Sequence, residues 1–218
     1  MTIPFQIVGF DLDGTLLDTS RDLGAAVNHA LARIDRAPVP HSAVSGLIGG
    51  GARLMLSRAL ALTGGDEGID QDALFAELLA FYEANIAVHT ALYPGGAAML
   101  DALDTADIRI AVVTNKRQHM TDKLFAELGL TDRFVCVIGA GTYPLKPAPD
   151  ALHAMVERCG GGRAAFVGDT TFDTGAARAA GLPSISVSFG FCDAPPHELG
   201  ADAVIDHFDQ LVPALRSL

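Results

Sequence analysis

The chain contains no tryptophan, and aromatic residues make up only 6% of its 218 positions. Its core must therefore be built mainly from alanine, leucine, valine and isoleucine. Lysine is equally scarce: Lys116, Lys123 and Lys146 are the only ones. The cysteines Cys136, Cys159 and Cys192 are odd in number and include no CxxC pair. That argues against a disulfide scaffold and a cysteine-based zinc site, and suits reduced thiols. Positive charge is in deficit, with 15 Lys+Arg against 26 Asp+Glu and a formal net charge of −11. A field of that sign repels polyanions, so nucleic acid and anionic membrane surfaces are poor partners. A small anion is still compatible, because local cations or a metal reverse the sign inside a pocket. Long hydrophobic runs are missing too. The stretch 84–100 lacks Asp, Glu, Lys and Arg, but it contains His89 and is broken at Pro94-Gly95-Gly96, so it is no membrane span. The opening residues carry no basic segment and reach Asp11 early, unlike a signal peptide, which makes a cytoplasmic location the expectation.

What is present is enough apolar material for a core: 50% of residues are of the AVILMFWYC class and 19% are charged, which argues against disorder. The length fits one large domain, or one domain with an insert. Short apolar runs at 5–10, 109–114, 134–138, 164–167 and 184–188, with a weaker one at 203–205, read as strands. Their near-continuous hydrophobicity is what a sheet covered on both faces requires. Helical patterns fall between them, at 96–106, 118–128, from Pro149 to about 158, and at 171–180 before Gly181. This alternation predicts an α/β fold with a doubly wound parallel sheet. Residues 16–92 break it. Leu23, Ala26, Val27, Ala30, Leu31 and Ile34 recur at helical spacing, as do Leu74, Phe75, Leu78, Leu79, Tyr82 and Ile86, with a shorter pattern through Leu54, Leu56, Ala59 and Leu60. The expectation is an α/β core from residues 1–15 and 93–218, and an inserted all-helical unit at 16–92 of about four helices, hinged near 16–19 and 90–94.

In open α/β sheets, ligands bind beyond the carboxyl ends of the strands. The first predicted strand is followed by Asp11, Asp13, Gly14 and Thr15, the second by Thr114, Asn115 and Lys116, the third by Lys146 past a loop, and the fourth by Gly168, Asp169 and Asp173. Residues two apart in an extended segment point the same way, so Asp11 and Asp13 can face one site. Two carboxylates ~4 Å apart repel by about 4 kcal/mol at an effective dielectric of 20, which a cation between them relieves. Asp11, Asp13 and Asp169 as oxygen donors, without a His or Cys cluster, suit a hard ion, Mg²⁺ in the first place. The blander alternative is that Asp11 and Asp13 belong to an ordinary Asp-Gly turn. A cation, a hydroxyl and a further acid at three later strand ends outweigh it.

These segments resemble, in order, the four signatures of the haloacid dehalogenase superfamily of phosphohydrolases: Asp11-Leu12-Asp13-Gly14-Thr15-Leu16, Val113-Thr114-Asn115, Lys146-Pro147, and Gly168-Asp169-Thr170-Thr171-Phe172-Asp173. The insert resembles that superfamily's C1-type helical cap. The resemblance implies that Asp11 is a nucleophile forming an aspartyl-phosphate and that Asp13 is the acid and base for the two half-reactions. It also implies that Thr114 and Asn115 bind phosphoryl oxygens and that Lys146 bridges the phosphate and Asp11. Asp11, Asp169 and Asp13, the last through its backbone carbonyl, would hold Mg²⁺. Gly14 and Thr15 would brace the turn, and Asp173 would hold Lys146 or a metal-bound water, or serve only as an acid at a helix start. Lys116 reads more readily as a solvated helix start than as a site residue.

Within the superfamily the chain resembles the phosphoglycolate phosphatases. The supporting residues are Ser20 to Ala26, Gly49-Gly50-Gly51-Ala52-Arg53, Tyr93-Pro94-Gly95, Thr114-Asn115-Lys116 and Lys146-Pro147-Ala148-Pro149. Gly50 stands where that family usually carries Asn. Arg53 is a candidate for holding a substrate carboxylate, since a guanidinium matches it bidentately; an exposed helix arginine is the alternative. The glycine-rich stretch is no nucleotide fingerprint, because it follows no strand and no GxxxxGK occurs. A sugar-phosphate, amino-sugar-phosphate or pyrophosphate phosphatase, or a phosphoglucomutase, would share the core motifs. A dehalogenase would not use Asp13, and a phosphonoacetaldehyde hydrolase would need a lysine that 16–92 lacks. A catalytically idle phosphate-binding module should lack the nucleophile or the acid, and both are here.

Overall fold

The computed structural model describes residues 3–218; residues 1 and 2, the start of the first expected core segment, lie outside them. In chain order the elements are β1 (Ile7–Phe10), β2 (Leu17–Asp18), α1 (Ser20–Ala32), α2 (His41–Val44), α3 (Ala52–Leu62), α4 (Gln71–Ala84) and β3 (Ala91–Leu92). There follow α5 (Gly96–Thr105), β4 (Arg109–Arg117), α6 (Gln118–Leu128), β5 (Cys136–Ala140), α7 (Asp150–Arg158) and β6 (Ala164–Gly168). The chain ends with α8 (Thr171–Ala180), β7 (Ser184–Val187), β8 (Ala203–Ile205) and α9 (Leu211–Ser217).

Six strands form one sheet in the order β5-β4-β1-β6-β7-β8, all parallel. The chain leaves β1 to build one flank and then crosses back to build the other. β1 therefore lies at the switch point, flanked by β4 and β6, and the carboxyl ends of these three strands open onto one crevice. The apolar runs are near-continuous because the sheet buries both faces. Val8, Ile110 and Val112 enter one core cluster, and Ile7, Ala111 and Val113 enter the other.

The expected strand 109–114 in fact runs to Arg117, with an irregularity against β5 between Val113 and Arg117. The bulged end carries the Thr-Asn-Lys sequence past the sheet edge, as bulges beside functional sites do. The helix expected to begin at Pro149 starts one residue later, at Asp150. The helix at 171–180 ends at Gly181 in the left-handed conformation.

The helical insertion α1 to α4 leaves and rejoins the sheet through a two-stranded antiparallel ribbon that pairs Leu17 with Leu92 and Asp18 with Ala91. This ribbon lies just inside the boundaries expected at 15/16 and 92/93. Leu23, Val27, Leu31, Leu74 and Leu78, all in the helical stripes read from sequence, are buried in a cluster continuous with one sheet face.

One buried acid ties the exit of the insertion to its entry. Asp22, on the first turn of α1, accepts hydrogen bonds from the His89 amide (2.9 Å), the Thr90 amide (2.9 Å) and the Thr90 hydroxyl (2.8 Å). Two adjacent amides meet a charged acceptor there, and bonds to charged groups are worth about 1.5–3 kcal/mol each. Asp22→Ala is expected to lower unfolding stability by roughly 2–3 kcal/mol, read as a reduced urea midpoint with little change in slope.

Candidate active site

The sequence-predicted residues Asp11, Thr114, Lys146, Asp169 and Asp173 are all buried at the carboxyl ends of the parallel strands. Lys146 is their hub. Its ammonium donates to Asp11 Oδ1 at 2.6 Å, Asp173 Oδ1 at 2.6 Å and the Val113 carbonyl at 2.9 Å. All three donors of the ammonium are thereby used. Asp11 Oδ2 has no hydrogen-bond partner among the described residues, and Asp11 lines a cavity of about 220 Å³. The carboxylate is thus held by one oxygen and presents the other.

Asp169 is braced from two sides. Thr15 Oγ1 donates to its Oδ1 at 2.9 Å, and the Phe191 amide donates to its Oδ2 at 2.8 Å. Gly14, at φ +89°, passes so close that a Cβ there would lie 2.3 Å from Asp169 Oδ2. Only glycine suits both that conformation and that gap. Asp173 binds Lys146 with one oxygen, while its other accepts from the amides of Asp169 (3.2 Å) and Thr170 (3.0 Å) and from the Thr170 hydroxyl (2.6 Å). It is therefore both the partner of Lys146 and the acid that closes the start of α8.

Carboxylate oxygens of Asp11, Asp169 and Asp173 all lie within 4.8 Å of one another. Three buried carboxylates face one ammonium, an excess of negative charge with oxygen-only donors, and this fits a hard divalent cation. Burial, opposed by Lys146 and reinforced by Asp173 and Asp13, pushes the Asp11 carboxyl up to about 6. Burial, followed by the charges of Asp173 and Asp11, pushes Asp169 well above the carboxylate range.

Asp13 is expected to meet a metal through its backbone carbonyl, and its side chain is directed elsewhere. Its carboxylate is not in the cluster; both its oxygens accept from Lys116 Nζ at 2.8 Å. Lys116 is the site residue that sequence reasoning undervalued. It is buried rather than solvated, because the bulged end of β4 turns it inward, and its ammonium lies 4.7 Å from the centre of the Tyr82 ring. Burial disfavours its charge, but Asp13 and Tyr82 together outweigh burial and raise the Lys116 pKa. Tyr82 belongs to α4 of the insertion. Its hydroxyl is buried without a hydrogen-bond partner among the described residues, and burial pushes its pKa up to about 12. Only its place in a helical stripe marked it in the sequence, and that stripe reads as core.

The Asn115 side chain is already engaged. Its side-chain amide donates to the Lys146 carbonyl (3.2 Å) and accepts from the Lys146 amide (2.9 Å). It clamps the lysine loop. The Thr114 hydroxyl accepts from the Lys116 amide at 3.2 Å and keeps its proton to donate.

Arg53 is not buried against the acids. Its guanidinium is 60% exposed, pairs with Asp72 at 2.8 Å and lies 4.3 Å from the centre of the Phe75 ring, with Arg117 5.5 Å from the same ring. Both arginines line the cavity at the junction of insertion and sheet. The glycine stretch 49–51 meets the core there, where a Cβ on Gly50 would lie 3.2 Å from Phe172.

The haloacid dehalogenase-like hydrolase family profile matches residues 8–187. A phosphoglycolate phosphatase of Agrobacterium fabrum is 42% identical over 211 residues, covering 94% of this chain and 90% of the relative. A phosphoglycolate phosphatase of Caulobacter vibrioides is 39% identical, covering 92% and 86%. A crystal structure described as a predicted phosphoglycolate phosphatase from Haemophilus somnus superposes with a TM-score of 0.89 at 27% identity, covering 97% of this chain and 98% of that one.

Two outcomes follow from the acid cluster. A carboxyl raised in the folded state stabilises fully below its unfolded pKa, and the contribution is lost as pH rises through the folded value. The cation-free protein should therefore lose stability from about pH 4 upward through the Asp11 value of about 6. A divalent cation reverses this, so the Tm gain on adding Mg²⁺ should be larger at pH 7.5 than at pH 5 in differential scanning fluorimetry. Equal gains would contradict the cluster as a cation site. Gly14→Ala should displace Asp169 and abolish that Tm gain.

Proposed function

The chain belongs to the haloacid dehalogenase-like hydrolase family and is a phosphatase, and from that premise we propose a Mg²⁺-dependent 2-phosphoglycolate phosphatase acting through an aspartyl-phosphate. The observation that carries this reading is the orientation of Asp11: one oxygen tied to Lys146 and the other free in the cavity. A carboxylate is a weak nucleophile, so its approach to a phosphoryl dianion needs charge neutralisation. Lys146 provides one positive charge, and bound Mg²⁺, held by Asp11, Asp169 and the Asp13 backbone carbonyl with Asp173 beside them, would supply the rest.

Asp11 Oδ2 attacks phosphorus in line, the bond from phosphorus to the ester oxygen breaks, and Asp13, which must enter this step in its protonated form, gives that proton to the departing alkoxide. Water then attacks the acyl phosphate, Asp13 takes up the proton, and inorganic phosphate leaves with Asp11 restored. The Thr114 hydroxyl and the Asn115 backbone N–H hold the phosphoryl oxygens.

Residues 16–92 act as a cap over a core of residues 1–15 and 93–218. This is supported by the ribbon of β2 and β3 through which the insertion leaves and returns, and by a cavity lined from both sides. Closure excludes bulk water during attack, and reopening admits the hydrolytic water and releases product. Arg53 and Arg117 at the mouth draw anions into an otherwise acidic protein. A volume of about 220 Å³ lies below the usual range for drug-sized ligands and supports a small organic phosphate. The likeness to phosphoglycolate phosphatases supports phosphoglycolate in particular. The three cysteines are free, which supports a reducing, cytoplasmic setting, and among the described residues no helix is long and apolar enough to cross a membrane.

A panel of small phosphorylated acids, sugars and pyrophosphate, assayed with Mg²⁺ and with chelator, tests the reading. 2-Phosphoglycolate should give the highest kcat/KM and chelator should abolish turnover. Asp11→Asn should remove activity by at least roughly 10³-fold while leaving the fold intact. Retained turnover in Asp11→Asn would exclude the covalent route.

A further inference from the structure

Lys146 has no donor to spare: Asp11, Asp173 and the Val113 carbonyl take all three. Lys116 is a second buried ammonium, and it lines the cavity. It spends two bonds on the two oxygens of Asp13 and keeps one donor. Beside it is the Tyr82 hydroxyl, 2% exposed as a residue and unpartnered among the described residues. A buried hydroxyl without a partner costs about 1–3 kcal/mol, so a ligand that accepts its proton recovers that cost.

Position decides what the ligand is. Asp13, in the proposed reaction, touches the ester oxygen of the substrate. A cation 2.8 Å from both Asp13 oxygens is within reach of an anion one carbon beyond that ester oxygen. In 2-phosphoglycolate the carboxylate stands one methylene away. Arg53 is poorly placed for this role, being exposed and engaged with Asp72 and Phe75.

We infer that Lys116 and Tyr82 together form the subsite for the substrate carboxylate, and that they are the residues selecting a short phosphorylated acid over neutral phosphomonoesters. The inference rests on the phosphatase reading above. One half of the subsite comes from the core strand β4 and the other from α4 of the insertion, so it is complete only when the two are packed together. The carboxylate then contributes to closure, and a phosphomonoester lacking it gains less from the insertion.

The test compares kcat/KM for 2-phosphoglycolate with that for 2-hydroxyethyl phosphate, in which a neutral hydroxymethyl group replaces the carboxylate. Whatever Lys116→Met costs through Asp13 is common to the two substrates and cancels in their ratio. The ratio should fall on the order of 10- to 100-fold in Lys116→Met and roughly 3- to 10-fold in Tyr82→Phe. The loss for 2-phosphoglycolate should appear chiefly in KM. A ratio unchanged from wild type in Lys116→Met overturns the subsite and leaves the phosphatase reading intact. Should that variant fail to fold, as judged by circular dichroism, an unchanged ratio in the near-isosteric Tyr82→Phe overturns it instead. A wild-type enzyme with no preference between the two phosphates overturns both the subsite and the assignment of phosphoglycolate as substrate.

Discussion

Lys146 makes a buried acidic site possible. Its ammonium, 2.6 Å from Asp11 and 2.6 Å from Asp173, is the one positive charge set among three carboxylates whose oxygens lie within 4.8 Å of one another. Without it, burying those acids together would cost far more than the surrounding packing returns. The protein supports this lysine closely. The Asn115 amide bonds both backbone groups of Lys146, and the Val113 carbonyl takes its third proton. Removing one partner of such a buried arrangement is costed by the charge left behind, which gives the site little freedom to rearrange.

A second ion pair divides the labour. Asp13 is two residues from Asp11, yet it is turned to Lys116 rather than to the acid cluster. The structure therefore pairs Asp11 with Lys146 and Asp13 with Lys116. Two carboxylates from one short turn meet different environments because different segments supply their cations. In the function proposed above, the first pair serves the attack on phosphorus and the second the proton transfers.

The segments directly after predicted strands were legible, because in a parallel sheet each such segment must arrive at one edge. Asp11, Lys146 and Asp169 could be assembled from order alone, and the helical stripe of 16–92 was visible in its spacing. Lys116 was harder. A lysine after a strand and before a helix is usually solvated, and only the irregularity between Val113 and Arg117 turns this one inward. Tyr82 was hidden by its own periodicity, since a tyrosine lining a cavity and a ring packed in a core give the same pattern. Nothing local reveals that the Asn115 side-chain amide is taken up by a loop 31 residues on.

By itself the sequence determined the α/β alternation, the helical insertion and the identity of the acids and of the lysine that the structure gathers at the strand ends. All of these rest on local periodicity or on residues adjoining strand ends, and local order is written in the chain. Tertiary structure decided the pairing: which cation serves which carboxylate, which oxygen of Asp11 stays free, and how a tyrosine of the insertion comes to stand beside a lysine of the sheet. Those outcomes depend on distances between segments far apart in sequence. Desolvation and Coulomb attraction act on such distances only after the chain has closed.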